Sequence, residues 1–263
     1  RRGGEWCGMG VRRGMLRSSS TCSLLPRGRP LRAALNLSNR LLVSEVSDAE
    51  GARGVAPALA AALSRELGVP LVLVPYPNPG ALADSAADGA WDIGLIGAEP
   101  ARAKVMAFSK PYVEIEATYL VPPGSTLRSA ADVDSAGVRI ATSRRSAYQL
   151  WLSDNVKNAD LVLTDKPGPE LSWDLFCAKK LDALSGLRPW LSAKAKDLPG
   201  STVLPDRFTA IQQAIGVPRK GDADECKEAV AFLDRFVDEA KQSGLIAELL
   251  AKYNVVDKLS VAQ

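Results

Sequence analysis

Histidine is absent from the 263 residues of the chain, and its absence removes several kinds of chemistry. No Ser-His-Asp or Cys-His pair can activate a nucleophile, and no H-E-x-x-H zinc site can form. The four cysteines include no C-x-x-C pair, so neither a structural zinc site nor a disulfide framework is expected. No run of about 18 apolar residues occurs. We therefore expect no metal site, no cofactor, no catalytic residue and no membrane-spanning helix.

Basic residues do not outnumber acidic ones outside the amino-terminal end. Residues 1–32 contain eight arginines and one acidic residue, which leaves 25 basic and 29 acidic residues in the rest of the chain. Such a body offers no clustered basic surface, so we expect no nucleic-acid partner. Residues 1–30 lack the apolar stretch of a secretory signal peptide. We expect them to be a basic, disordered tail, or sequence carried over from outside the native protein.

Strand and helix patterns alternate after Pro30, which is typical of parallel βαβ units. Pro122-Pro123-Gly124 divides the pattern in two and predicts a domain boundary rather than one continuous sheet. The predicted strands are 31–37, 69–75, 92–97, 137–142, 161–164, 181–185 and 209–218. The predicted helices are 54–67, 81–88, 147–156, 170–179, 225–242 and 245–253.

Three groups of motifs follow one another along the chain. The first comprises GAWDIG at 89–94, PAR at 100–102 and FSKPY at 108–112. The second is VRIATSRRS at 138–146. The third comprises AIGVP at 214–218, a long helix, SGLI at 243–246 and AKY at 251–253. In this order, over about residues 31–255, they resemble the bacterial extracellular solute-binding proteins of family 3, the amino-acid-type substrate-binding proteins of ABC transporters.

The resemblance implies an α/β, two-lobed periplasmic-binding fold of type II, a Venus flytrap in which each lobe is a mostly parallel sheet flanked by helices. Lobe 1 would combine residues 31–118 with 207–258, and lobe 2 would be 119–206. The ligand would sit in the cleft between them, as small ligands commonly do. We expect an open form without ligand, and closure by hinges at Thr118–Val121 and Arg207–Ile211.

By the same resemblance, Arg102 would clamp the ligand carboxylate with a bidentate, charge-assisted pair. The alternative is a surface arginine paired with Glu99. Gly97 and Ala98 follow a strand and would offer backbone N–H groups to the same carboxylate. Ser146, with the backbone of Arg145, would bind from the start of a helix in lobe 2, although this serine equally suits a helix cap. Arg144 and Arg145 either contact a second acidic group or point to solvent.

Three further residues follow predicted strands where ligand-lining residues occur in the family. Asn36 and Asn39 lie after the first strand, and Tyr76 would cover the ligand; each equally suits a turn or the core. Leu187 stands where the family has an aspartate for the ligand's ammonium group. Because an unpaired buried ammonium is costly, either the ligand lacks one or an acid among Glu99, Glu114 and Glu116 supplies the partner.

The sequence thus predicts a monomeric binding protein, not an enzyme, that delivers an amino acid or related small carboxylate to an ABC transporter permease. The resemblance implies a periplasmic location, while the lack of a visible signal peptide leaves a cytoplasmic one open. Two alternatives keep the same fold. One is an enzyme similar to cyclohexadienyl or arogenate dehydratase, with Glu99, Glu114 or Glu116 as the acid. The other is a ligand-sensing domain.

Overall fold

A computed structural model describes residues 25–47, 51–220 and 223–263. Within these ranges the strands are β1 (Leu31–Asn36), β2 (Glu45–Ser47), β3 (Gly51–Arg53), β4 (Leu71–Tyr76), β5 (Ile93–Gly97), β6 (Met106–Val121), β7 (Arg139–Thr142), β8 (Asp160–Leu163), β9 (Ala183–Leu187), β10 (Thr202–Val203), β11 (Thr209–Pro218) and β12 (Ser260–Val261). The helices are α1 (Val55–Leu67), α2 (Pro79–Asp84), α3 (Pro100–Ala103), α4 (Ala130–Val133), α5 (Ala147–Asn155), α6 (Pro169–Lys179), α7 (Arg188–Lys194), α8 (Ala223–Gln242) and α9 (Leu245–Lys252).

One hydrogen-bonded sheet runs through the described part of the chain, in the order β4-β1-β5-β11-β6-β9-β7-β8. The β4-β1-β5 group and the β8-β7-β9 group are each parallel. The long strands β6 and β11 join the groups and pair antiparallel with each other. The prediction of a break at Pro122–Gly124 is therefore wrong for the sheet, because β6 bonds to β11 and β12 along its first part and to β9 and β10 towards its end.

The predicted elements all appear, with their ends shifted by at most four residues. Strand β6, 16 residues long, was not predicted. Its FSKPY segment, at 108–112, contains a proline and a lysine, which makes a poor strand pattern when read alone. In the folded chain the segment is nevertheless part of a strand, because it pairs with β11, whose register shifts opposite Pro111.

The buried apolar residues form separate clusters on the two sides of the crossing strands. The largest cluster draws on residues 25–115 and 215–259 and packs α1, α8 and α9 against the sheet. Two smaller clusters are built from buried residues between Tyr119 and Leu204. A small cluster of Ala117, Tyr148 and Ile211 lies between them. The lobe boundaries proposed from sequence remain a prediction.

The predicted disordered tail is too long at its carboxyl end. Residues 1–24 lie outside the described residues, but Leu25 is buried in the largest cluster. Arg29 donates two hydrogen bonds, of 2.8 and 3.0 Å, to the carboxylate of Asp92. Residues 25–30 therefore pack against the body, since a buried leucine and an ion pair hold them there.

The same aspartate–arginine arrangement occurs in both parallel groups. Asp92 precedes β5 and accepts hydrogen bonds from the backbone N–H and Nε of Arg32 in β1. Asp182 precedes β9 and accepts from the same two groups of Arg139 in β7. The two sites differ in burial, because the Asp92 side chain is 4% exposed and that of Asp182 is 40% exposed.

Candidate functional site

A cavity of about 590 Å³ lies where the carboxyl ends of the parallel strands meet the starts of several helices. The loop after β1, the loop into α2 and the end of β5 contribute from one side. The starts of α5, α6 and α7 contribute from the other. Its lining residues include Asn36, Arg40, Asn78, Gly97, Arg102, Arg144, Ser146, Tyr148, Glu170, Leu187, Trp190, Ile211, Gln213 and Lys258.

Arg102 lies in the cavity wall with only 4% of its surface exposed. Pro100 opens its helix, α3, immediately after β5, so the arginine projects back across the end of that strand. Its Nη1 donates to the Gly97 carbonyl at 2.8 Å, and its Nη2 to the Arg145 carbonyl at 3.3 Å. Burial lowers the pKa of Arg102 to about 10. The guanidinium is thus a buried positive charge, fixed in orientation by two neutral carbonyls.

Glu99 precedes α3 and is buried beside Arg102. Burial raises the pKa of its carboxyl group to about 7, although the nearby charge of Arg102 acts against the rise. No ion pair within 4 Å joins Arg102 to any acid of the described residues. The alternative of a surface arginine paired with Glu99 is therefore wrong. Glu99 itself is not among the residues that line the cavity, contrary to its place in the predicted site.

Gly97 lets Arg102 lie close to the end of β5. A Cβ atom at this glycine would lie 3.2 Å from Nη1 of Arg102 and 2.9 Å from a methyl group of Ile211. Ala98, by contrast, gives its backbone N–H to the Gln212 carbonyl at 2.8 Å. That N–H belongs to the sheet edge and is not free for a ligand, which corrects the role predicted for Ala98.

Ser146 and Arg145 lie at the start of α5. The Ser146 hydroxyl accepts from the Gln149 N–H at 3.1 Å, so this serine caps its helix, and it also lines the cavity. The Arg145 N–H donates to Oε1 of Gln149 at 2.7 Å, in a left-handed backbone conformation with φ of 62°. Its side chain forms two 2.6 Å hydrogen bonds with Asp84 of α2. Arg145 therefore bridges α5 to α2 and is not among the cavity-lining residues, in contrast to the prediction.

Asn36 and Asn39 both line the cavity and also shape its wall. Oδ1 of Asn36 accepts from the N–H and the hydroxyl of Ser38, and Oδ1 of Asn39 accepts from the Leu41 N–H. These turns leave the amide NH₂ groups of both asparagines as donors. Tyr76 is the last residue of β4 and packs against a small core cluster with Leu82 and Trp91. It is not among the lining residues, so its predicted role as a cover is corrected.

Several lining residues were not predicted as site residues from the sequence. Gln213 in β11 is buried, and its amide makes no hydrogen bond to another described residue. Tyr148 in α5 is buried in the wall, and burial raises the pKa of its hydroxyl to about 12. Trp190 and Glu170 come from α7 and α6. Gln213 sits in a strand pattern and Tyr148 on a helix face, so both resemble ordinary core positions until the chain is folded.

Neither a metal site nor a membrane span is found in the described residues. His, Cys, Asp and Glu side chains form no group of three able to hold an ion in residues 25–47, 51–220 and 223–263. Over the same ranges, no helix combines the length and the apolar character that crossing a membrane requires.

The chain is similar to known proteins in sequence and in structure. A sequence model of the bacterial extracellular solute-binding proteins, family 3, matches residues 43–256. No curated protein matches the chain significantly. A putative binding component of an ABC transporter from Wolinella succinogenes, complexed with lysine, has a TM-score of 0.67 and 21% identity; the match covers 86% of this chain and 96% of that one.

Two other solved structures are similar to the same extent. The amino acid ABC transporter substrate-binding protein AbpA from Streptococcus pneumoniae, bound to L-arginine, has a TM-score of 0.65 and 25% identity, covering 86% of this chain and 94% of that one. The ancestral amino acid-binding protein AncCDT-1, a precursor of cyclohexadienyl dehydratase, has a TM-score of 0.65 and 22% identity, with 86% and 96% covered. The predicted α/β fold class of type II periplasmic-binding proteins is confirmed. The chain belongs to the bacterial extracellular solute-binding proteins, family 3.

Proposed function

We propose that the chain captures a small carboxylate in the cavity between the two predicted lobes and delivers it to an ABC-type importer outside the cytoplasm. The observation that carries the proposal is Arg102, a buried guanidinium in the cavity wall that forms no ion pair with an acid of the described residues. A buried charge without a counter-ion is costly. A ligand carboxylate would supply that counter-ion through two parallel hydrogen bonds.

The shape of the site also supports binding. Residues of both predicted lobes line the cavity, including Asn36 and Arg102 from lobe 1 and Ser146 and Trp190 from lobe 2. A ligand that touches both sides would favour a closed arrangement, because it gains contacts only when the lobes meet. We keep the predicted hinges at Thr118–Val121 and Arg207–Ile211 as part of this proposal.

The dehydratase alternative receives less support. Its candidate acids, Glu99, Glu114 and Glu116, are not among the residues that line the cavity. Glu114 accepts a 2.9 Å hydrogen bond from Gln212, and Glu116 pairs with Arg188 at 2.5 Å. A general acid must reach the proton that it transfers, either directly or through one water. We therefore propose binding rather than turnover.

Substitution of Arg102 tests the proposal. Thermal-shift screening of amino acids, 2-oxo acids and dicarboxylates identifies a ligand, since a ligand that binds only the folded state raises Tm. We expect Arg102→Ala to weaken its binding by about 100-fold or more, equivalent to about 2.7 kcal/mol. Arg102→Lys, which keeps the charge but loses the planar fork, should bind with intermediate affinity. Isothermal titration calorimetry measures both.

Arg65→Ala provides the control, because Arg65 is an exposed arginine in the last turn of α1, outside the cavity. It should bind like the unmodified protein. Equal affinity of Arg102→Ala and Arg65→Ala, with circular dichroism showing both folded, would refute the carboxylate clamp. Failure of every carboxylate to bind the unmodified protein would refute the proposed function.

A further inference from the structure

The cavity has very little negative charge of its own. Of its lining residues within the described ranges, Glu170 alone is acidic. Its carboxylate is already engaged, by Nζ of Lys194 at 2.7 Å and by Nε1 of Trp190 at 3.2 Å. An ammonium group entering the cavity would have to compete with Lys194 for this carboxylate, which is exposed to solvent.

The other acids near the site are engaged elsewhere. Asp84 pairs with Arg145, and Glu116 pairs with Arg188 and Arg207. Glu114 accepts hydrogen bonds from Gln212 and Arg207. Glu99 is buried outside the lining, where burial favours its neutral form. None of the acids that sequence reasoning offered as ammonium partners therefore faces the cavity.

Positive charge, by contrast, lines the cavity on several sides. Arg40, Arg102, Arg144 and Lys258 all belong to the lining, and none forms an ion pair with another described residue. Nε of Arg144 donates to the Thr164 carbonyl at 2.7 Å, which orients that guanidinium. The cavity thus holds four cations against one acid that is already paired. This imbalance attracts anions and opposes a further positive charge.

The wall near the crossing strands is apolar. Leu187, Ile211 and Tyr148 pack together there and line the cavity. These side chains offer no carboxylate, and the Tyr148 hydroxyl, whose pKa burial raises to about 12, carries no negative charge. An ammonium group against this wall would lose water without gaining a counter-ion.

We propose that the site selects organic acids that carry no ammonium group, such as 2-oxo acids and simple dicarboxylates, over the corresponding α-amino acids. The inference rests on the proposed function, since it assumes that the carboxylate binds at Arg102. It adds that the second group on the ligand is neutral or acidic, and that the amine is excluded by the absence of a free acid in the lining.

Matched ligand pairs test the inference with the purified protein. Isothermal titration calorimetry at pH 7 compares 2-oxoglutarate and glutarate with L-glutamate, 4-methyl-2-oxopentanoate with L-leucine, and phenylpyruvate with L-phenylalanine. In the pair that fits the cavity, the acid without an ammonium group should bind at least about 10-fold more tightly than the amino acid. Arg102→Ala should weaken the binding of that acid. If the amino acid binds as tightly as its partner, or more tightly, the inference is overturned while the proposed function stands. Absence of binding by every carboxylate overturns both.

Leu187→Asp tests the physical reason. A carboxylate placed in the apolar wall should lower the preference for the acid without an ammonium by about 10-fold or reverse it. Leu187→Asn is the matched control, because asparagine has nearly the same size and polarity as aspartate but no charge. It should keep the original preference. An unchanged preference in a folded Leu187→Asp variant would contradict the proposed reason for exclusion.

Discussion

The two ends of strand β5 each combine an acid with an arginine, and they do so in opposite ways. Before the strand, Asp92 accepts hydrogen bonds from both Arg29 and Arg32, and these bonds hold its pKa at about 2 in spite of burial. After the strand, Glu99 lies beside Arg102 without forming an ion pair, and burial raises its pKa to about 7. At the first end the carboxylate is bound by two arginines, and at the second end the arginine has no ion-pair partner among the described residues.

This difference separates structural charge from functional charge. A buried carboxylate whose hydrogen bonds are all made within the protein, such as that of Asp92, joins chain segments. An arginine held by two neutral carbonyls, next to an acid whose pKa burial raises and with which it forms no ion pair, has its charge available for another anion. The strand therefore positions the site at one end and ties residues 25–32 to the body at the other.

The largest effect on stability should come from removing the Asp92 carboxylate before β5. Asp92→Asn removes the charge that Arg29 and Arg32 share, and we expect the free energy of unfolding at pH 7 to fall by about 3 kcal/mol. This corresponds to a loss of roughly 6–12 °C in Tm. Because the folded pKa of Asp92 is lowered, its contribution is present above about pH 4 and disappears as pH falls towards 2.

Asp182→Asn is the matched control, because Asp182 repeats the contacts to an arginine N–H and Nε at a much more exposed position. It should cost less than about 1 kcal/mol. Equal losses of Tm for the two variants would show that burial does not decide the difference between them.

The next effect is a pH-dependent gain in stability on replacing Glu99, at the other end of β5. In the folded protein burial raises the pKa of Glu99 to about 7, whereas in the unfolded chain its pKa is near 4.5. Stability is therefore lost as pH rises between these values. Glu99→Gln should raise the unfolding free energy by about 2 kcal/mol at pH 8 and change it little at pH 4. Denaturant unfolding at both pH values measures this, and an equal shift at both would rule out titration of Glu99 as the cause.

A smaller effect should follow from crowding Arg102. Gly97→Ala places a Cβ atom 3.2 Å from Nη1, so the guanidinium must move, and we expect carboxylate affinity to fall by about 10-fold. Gly94→Ala, earlier in β5, is the control. Its Cβ atom would crowd Leu82 and Met106 in the core instead. Both variants should lose stability, and calorimetry should find reduced affinity for Gly97→Ala alone.

The smallest effect concerns the bridge between α5 and α2. Asp84→Asn removes the exposed ion pair with Arg145, which links the two predicted lobes, and should weaken ligand binding by about threefold. Asp88→Asn is the control, since Asp88 is exposed nearby and forms no ion pair with a described residue. High salt should reduce the difference between the two variants. Tighter binding by Asp84→Asn would mean that the bridge opposes closure rather than favouring it.

Much of the fold could be predicted because the regular elements carry local signals. Helix α1 has its apolar face at four-residue spacing and ends where Gly68 takes a left-handed conformation. Strands β1 and β5 are short and buried, bounded by turn residues. Strand β6 was missed because its polar and proline residues are tolerated only where β11 and β12 pair with it. Such pairing brings together residues about 100 positions apart, which no local pattern encodes.

The sequence by itself determined the family, the order of those elements that have regular local patterns and the presence of an arginine after β5, since these follow from motifs and periodicity that act over a few residues. Only the tertiary structure decided which polar groups are free. In the folded chain the Ala98 N–H donates to β11, Arg145 pairs with Asp84, and Tyr76 packs against a core cluster. Gln213 and Tyr148 line the cavity. The physical reason is that hydrogen bonds and buried contacts form between segments that are distant in sequence. Whether a residue is free to bind a ligand therefore depends on neighbours that no local pattern reveals.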